Sequence, residues 1–129
     1  MGREILVIED NDHLRRILSH MIEKAGAETV ESEDCADALS RLQGGLMPAA
    51  VIVDIMTPRL DGYALMEKMR DHPRWKTIPI VVCSARNAPE DIQKAMDLGA
   101  VEYVVKPNVT KETIIPALKR ALAAAKRRP

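Results

Sequence analysis

Glu9 and Asp10 follow the apolar run Ile5-Leu6-Val7-Ile8, and Asp54 follows Ala49-Ala50-Val51-Ile52-Val53. Ser84 follows Ile78-Pro79-Ile80-Val81-Val82-Cys83, and Lys106 closes Val101-Glu102-Tyr103-Val104-Val105. Three carboxylates, a hydroxyl and an ammonium form a reactive set if the topology brings these four run ends to one edge. Carboxylates so close cannot all stay ionised without a neutralising cation. Hard oxygen donors favour Mg²⁺, which takes one or two carboxylates, water and a phosphate oxygen in octahedral geometry. An aspartate in such a setting can attack phosphorus and form an acyl phosphate, provided neighbouring cations offset the charge. Singly, each residue has a plainer reading. Asp10 can cap a helix; Asp54, before a proline-containing loop, can be turn chemistry, Ser84 a cap and Lys106 a surface charge. Only their joint placement argues for chemistry.

The elements that must position them are legible from period. The four β-branched runs are apolar throughout rather than alternating, which predicts strands covered on both faces, as in parallel α/β sheets. A weaker strand is expected at Ala27 to Val30. Between the runs, apolar residues recur at helical spacing: Leu14, Ile17, Leu18, Met21, Ile22 and Ala25, then Ala36, Leu39 and Leu42. Further stripes are Leu65, Met66 and Met69; Ile92, Ala95 and Met96; and Ile114, Leu118, Ala121 and Leu122. Gly26 and Gly99 read as helix stops. The resulting (βα)₅ order predicts an α/β, doubly wound, flavodoxin-like fold, a five-stranded parallel sheet of order 2-1-3-4-5 with helices on both faces. In that order strands 1, 3, 4 and 5 are neighbours, and ligands bind beyond the carboxyl ends of such strands. Pro116 argues against a helix beginning near Thr110 and places its start at Thr113.

With 129 residues, 47% hydrophobic and 29% charged, the chain predicts one domain, residues 1–125, able to fold without disulfides. Residues 126–129, Lys126-Arg127-Arg128-Pro129, read as a solvated basic tail or a linker stub. Nineteen basic residues balance nineteen acidic ones, which gives no bias towards nucleic acid or anionic membrane. Cys35 and Cys83 lack metal-ligand spacing, Cys83 reads as a buried free thiol, and no signal or membrane-spanning run is evident. A reducing cytoplasm is the expected compartment.

From Glu4 to about Ala124 the sequence resembles the receiver domains of two-component response regulators. Ile5-Leu6-Val7-Ile8-Glu9-Asp10-Asn11 is similar to that family's opening strand and acidic pair, and Asp54-Ile55-Met56-Thr57-Pro58-Arg59-Leu60-Asp61-Gly62 to its phosphoacceptor loop. Ser84-Ala85 and Gly99-Ala100-Val101-Glu102-Tyr103-Val104-Val105-Lys106-Pro107 complete the match. The resemblance implies that Asp54 accepts a phosphoryl group, and that Asp10, Glu9 (through water or directly), Asp54 and the Met56 carbonyl hold Mg²⁺. Ser84 and Lys106 bind phosphoryl oxygens by the same resemblance, Tyr103 changes rotamer on activation, and Lys106-Pro107 is a cis peptide. The implied partners are a sensor histidine kinase or histidine phosphotransfer protein, and a downstream protein target or covalently linked output domain. The chain is then a phosphorylation-dependent switch that catalyses its own modification, rather than a conventional enzyme. It departs from the usual pattern at Glu9 for aspartate, Thr57 for methionine and Asn108 for an aromatic.

An aspartyl-phosphate hydrolase would carry a second acid two residues after the nucleophile, where Met56 stands, so no general acid is evident. A flavodoxin-type FMN site is excluded by Glu9-Asp10-Asn11-Asp12, which would repel a phosphate. A receiver-like scaffold that is never phosphorylated stays open. His13, His20 and His72 read as solvated surface residues, and Trp75 as part of the loop entering strand 4. On the first helix, whose stripe is expected to centre on Leu14, Met21 and Ala25, a flank of His13, Ile17, His20 and Lys24 is either a kinase-docking surface or ordinary packing at Ile17. The expected readout face is helix 4, strand 5 and helix 5, with Lys94, Glu102 and Lys119. Met56 and Arg86 flank the route of an attacking water without activating it, which predicts slow dephosphorylation.

Overall fold

A computed structural model describes residues 4–126. Five strand–helix units follow one another: β1 (Glu4–Ile8), α1 (Asp12–Lys24), β2 (Glu28–Ser32), α2 (Cys35–Gln43), β3 (Ala50–Val53), α3 (Gly62–Arg70), β4 (Ile80–Ser84), α4 (Pro89–Asp97), β5 (Ala100–Val105) and α5 (Lys111–Lys126). A 3-10 turn at Trp75–Thr77 leads into β4. All strand pairs are parallel and the order is β2-β1-β3-β4-β5, the doubly wound arrangement read from the sequence.

Every residue of β3 and β4 is buried, which is why those runs show no polar alternation. The period-two pleat still divides them. Leu6, Ile8, Val51, Val53 and Val82 pack with α2, α3 and α4, whereas Ile5, Val7, Ile52, Val81 and Cys83 pack with α1 and α5. Both cysteines are free and buried, and burial pushes the Cys35 thiol up to about 11 and the Cys83 thiol up to about 12. Gly26 and Gly99 end α1 and α4 in the left-handed region, at φ +102° and +106°, where side chains with a Cβ are strained.

Several boundaries differ from those expected. The second strand runs from Glu28 to Ser32 rather than Ala27 to Val30, because its pairing with all of β1 outweighs the polar residues Glu31 and Ser32. The buried stripe of α1 centres on Leu18, Ser19 and Ile22, with Ala25 exposed. In α2 it is Cys35, Ala38 and Leu42, with Ala36 half-buried. In both helices the sequence reading counts an alanine that is not buried, Ala25 or Ala36, and passes over small or polar residues that are, Ser19 in α1 and Cys35 and Ala38 in α2.

The last helix begins at Lys111, so Pro116 lies inside it and Thr113 does not cap it. Thr113 instead turns its hydroxyl back to accept from the Thr110 N–H at 3.0 Å, which is one half of a capping box. An interior proline costs about 3 kcal/mol, and here burial of Ile114, Ala117, Leu118 and Ala121 offsets it. Residues 127–129 of the basic tail lie outside the described residues. Among the described residues no helix is long and apolar enough to cross a membrane.

Candidate functional site

The carboxyl ends of β1, β3, β4 and β5 meet at one edge. Glu9 follows β1, Asp54 follows β3, Ser84 is the last residue of β4, and Lys106 follows β5. The Lys106 Nζ donates to Glu9 Oε1 and to Asp54 Oδ2, both at 2.8 Å. The second oxygen of each carboxylate is held by backbone. Asn11 N–H donates to Glu9 Oε2 at 3.1 Å, and Met56 N–H to Asp54 Oδ1 at 3.0 Å. Glu9 and Asp54 are only 1% and 5% exposed, so these bonds satisfy charges that water cannot reach.

Asp10 is the exposed member of the group. Asn11 caps α1, accepting from Leu14 N–H at 3.0 Å, so the capping role open to Asp10 is taken by its neighbour. Carboxylate oxygens of Glu9, Asp10 and Asp54 lie within 4.8 Å of one another. Three acids against one ammonium leave the cleft net negative, and one oxygen-rich wall opens to solvent. That donor set fits a small hard divalent cation such as Mg²⁺.

Electrostatics follow from burial. Desolvation raises the Glu9 pKa and the Asp54 charge adds to the rise, while the bonds from Lys106 and Asn11 oppose it. Burial alone would lower the Lys106 pKa, but its bonds to Asp54 and Glu9 outweigh that and hold it above the usual lysine value. The ammonium therefore stays charged at any physiological pH.

The hydroxyl side of the site leads outward. Ser84 is fully buried, and its Oγ accepts from Arg86 N–H at 3.3 Å. The Arg86 carbonyl accepts from the Tyr103 hydroxyl at 2.7 Å, and its guanidinium reaches Asp91 of α4 at 3.5 Å. Tyr103 faces this way because of an irregularity in register. Ile80 pairs with Ala100 but Val81 with Glu102, so Val101 is an extra residue in β5. A one-residue bulge reverses the side-chain alternation. Tyr103 thereby packs with α3 and α4, while Val101 packs with α1 and α5.

Of the residues named from the sequence, Glu9, Asp10, Asp54, Met56, Ser84 and Lys106 line this edge or the loops leaving it, Tyr103 lies inside β5 and reaches the β4–α4 loop through its hydroxyl, and Lys106-Pro107 is cis. Met56 presents an exposed side chain. His13 and His20 are exposed as expected, but His72 is half-buried: its ring stacks on Trp75 at 3.7 Å between centroids, and its Nδ1 accepts from Arg74 N–H at 3.1 Å. Proximity of His72 to the only tryptophan, three residues on, is the signal that a surface reading overlooks.

Sequence reasoning missed a surrounding ring. Arg15 donates to the Glu9 carbonyl at 2.8 Å and pairs with Asp12 and Glu31. Arg59 pairs with buried Asp34 at 2.6 Å. The Tyr63 hydroxyl donates to the Asp91 carbonyl at 3.0 Å while Lys94 Nζ sits 4.3 Å over its ring. Only Asp12 and Arg15, three apart on a helix, could have been paired by spacing; the others join distant segments.

A family model described as the response regulator receiver domain matches residues 5–119. Protein PilG of Pseudomonas aeruginosa is 30% identical over 118 residues, 92% of this chain and 86% of that protein. The regulator of RpoS of Escherichia coli K12 is 38% identical over 107 residues, 83% of this chain but 31% of that longer protein. The chemotaxis protein CheY4 of Vibrio cholerae is a similar solved structure, with TM-score 0.85 and 26% identity over 94% of this chain and 99% of that one.

Proposed function

Because the chain belongs to the response regulator receiver domain family, we propose that it is a phosphorylation-dependent switch whose phosphoacceptor is Asp54. A receiver domain is a signalling module, not a conventional enzyme, and here the chain would supply the chemistry of its own modification. The observation that carries the reading is the Lys106 ammonium bridging Glu9 and Asp54 at 2.8 Å beside the open carboxylate of Asp10.

In the transfer, an Asp54 carboxylate oxygen attacks the phosphorus of a phosphohistidine in line. The new O–P bond forms as the N–P bond breaks, and the electron pair leaves with the imidazole nitrogen. Bound by Asp10, Glu9, Asp54 and the Met56 carbonyl, Mg²⁺ would offset negative charge on the transferring group. Lys106 neutralises a phosphoryl oxygen from the other side, and Ser84 donates its hydroxyl to a third. Glu9 is longer than aspartate, and its bond to Lys106 keeps that lysine aimed at the acceptor.

The modification adds nearly two negative charges. Ser84 turns towards them and gives up its bond to Arg86 N–H, and the displacement passes to Tyr103 through the Arg86 carbonyl. The readout face is then α4, β5 and α5, with Lys94, Glu102 and Lys119. The donor is a sensor histidine kinase or histidine phosphotransfer protein docking on the exposed α1 flank of His13, Ile17, His20 and Lys24. The recipient is a downstream protein or a linked output domain, with neither nucleic acid nor membrane bound directly. We place the switch in the cytoplasm, as one receiver unit over residues 1–125. Met56 and Arg86 offer water no base, so the acyl phosphate should persist for minutes or longer.

The test is intact-mass measurement after incubation with acetyl phosphate and Mg²⁺. Wild type should gain one phosphoryl mass and Asp54→Asn none. An unmodified wild type that also fails to take beryllofluoride would leave only the scaffold reading.

A further inference from the structure

The segment from Asp54 to Gly62 carries both the acceptor and the peptide that would present a carbonyl to the cation, and it is fastened to α2 by two adjacent residues. Asp34, 4% exposed, caps α2 by accepting from Asp37 N–H at 2.8 Å. Its other oxygen accepts from Arg59 Nε at 3.1 Å and Nη2 at 2.6 Å. Next to it, the Cys35 Sγ lies 3.2 Å from the buried Thr57 hydroxyl, which also donates to the Leu60 carbonyl at 2.9 Å. Arg59 adopts φ +72°, the left-handed region, alone among the described residues other than glycine.

An arginine gains nothing from that backbone conformation, which glycine or asparagine would adopt more readily. What it gains is the reach of its side chain to Asp34. The pair is not an ordinary surface bridge: the Arg59 side chain is 64% exposed, but that of Asp34 is 6% exposed. A buried carboxylate that loses its cation is uncompensated, so it holds the arginine in place. Asp34 itself stays below the usual aspartate value, chiefly through the cap bond from Asp37 and further through Arg59.

We propose that Arg59 is a positioning residue for the metal pocket, its fork on Asp34 fixing the Asp54–Gly62 loop so that the Met56 carbonyl meets a divalent cation. The loop is then anchored at Met56 N–H on Asp54, at Thr57 on Cys35 and at Arg59 on Asp34. These anchors lie on both sides of the Met56–Thr57 peptide that carries the carbonyl and restrict its rotation. The inference rests on the reading of the acidic cluster as a Mg²⁺ site.

The experiment is calorimetric titration of the full chain, freed of metal, with MgCl₂, alongside circular dichroism and thermal melting of each protein. Arg59→Gly removes the fork while favouring the left-handed backbone, and should bind Mg²⁺ about tenfold more weakly, the loss usual when a residue supporting a metal ligand is removed. Asp34→Asn keeps an oxygen for the α2 cap but discards the charge, and should show the same loss. Arg59→Lys should recover part of it, since one ammonium can replace part of the fork. If Arg59→Gly and Asp34→Asn bind Mg²⁺ as wild type does, the positioning role is overturned while the metal site stands. Wild type failing to bind Mg²⁺ would overturn the metal-site reading itself, and this inference with it. Where the melt of Arg59→Gly or Asp34→Asn shows unfolding, Arg59→Lys decides instead: a weakening between wild type and about tenfold supports the proposal, and binding equal to wild type overturns it.

Discussion

The Tyr103 hydroxyl donates to the Arg86 carbonyl at 2.7 Å, which ties the middle of β5 to the loop between β4 and α4. Arg86 also bonds Ser84 through its N–H and Asp91 through its side chain. One residue therefore links the Ser84 hydroxyl, the strand aromatic and the start of α4. Tyr103→Phe keeps the ring packing and deletes only the bond to Arg86. A single hydrogen bond of this kind contributes about 1 kcal/mol, so urea denaturation should show a loss of that order. Amide exchange at residues 85–88 should accelerate, with acetyl-phosphate labelling of Asp54 intact. Unchanged exchange in that loop would remove Tyr103 from the switching path.

Lys106 compensates two buried carboxylates at once, so Lys106→Met should be costly in a way that metal can repair. Without the ammonium, Glu9 and Asp54 face each other at the bottom of the cleft with only backbone N–H groups to stabilise them. Loss of one partner from such a group costs roughly 3 kcal/mol, discounted here because Lys106 keeps 21% side-chain exposure. The expected loss in chelator is about 1–2 kcal/mol. Millimolar Mg²⁺ should stabilise the variant more than wild type, since any ligand that binds only the folded state adds stability by mass action. Phosphoryl transfer should fall sharply even with Mg²⁺ present. Equal Mg²⁺ stabilisation of the two proteins would mean the lysine and the cation act on separate charges.

The fold was legible because period and punctuation agree along the chain. Strands buried on both faces are apolar throughout, and Gly26 and Gly99 sit where left-handed helix ends require them. The site was legible because open parallel sheets put their chemistry after the strands, and Glu9, Asp54 and Lys106 are polar where the preceding run is not. What stayed hidden depends on contacts between distant segments. Nothing local marks Arg59 as the partner of Asp34, 25 residues away. The extra residue at Val101 leaves no trace in an apolar strand, although it decides which way Tyr103 faces. Pro116 misled because local propensity forbids what the buried face of α5 enforces.

Gly62 is required for a different reason from the glycines that end helices. A Cβ there would lie 2.7 Å from the Ile55 Cα and 3.1 Å from the Asp54 carbonyl, all backbone that cannot swing aside. The Gly62 N–H also donates to the Ile55 carbonyl at 2.9 Å, so α3 begins in direct contact with the residue after Asp54. Gly62→Ala should push α3 back or shift the Asp54 peptide, with a cost of about 1–3 kcal/mol for overpacking. It should also weaken Mg²⁺ binding. Gly99→Ala is the control: open space surrounds it, but its φ of +106° is strained for alanine, so stability should fall while Mg²⁺ affinity does not. If both variants lose Mg²⁺ affinity equally, the close approach at Gly62 has no special bearing on the site.

Acid titration isolates the contribution of Asp34. Its pKa in the folded protein lies below the ordinary 3.8, from the Asp37 cap bond first and the Arg59 fork next. The unfolded chain therefore takes up the proton before the folded one does. The resulting stability is fully present above the unfolded value and disappears as pH falls through the folded one. In Asp34→Asn that dependence is absent, because the amide does not titrate in this range. Denaturation measured between pH 5 and pH 2 (roughly the interval over which a depressed carboxylate titrates) should give a shallower decline for the variant than for wild type. The two curves should converge at the acid end. Parallel curves over the whole range would mean that Asp34 has the same proton affinity folded and unfolded, and that the cap bond and the Arg59 fork together give its charged form no net advantage.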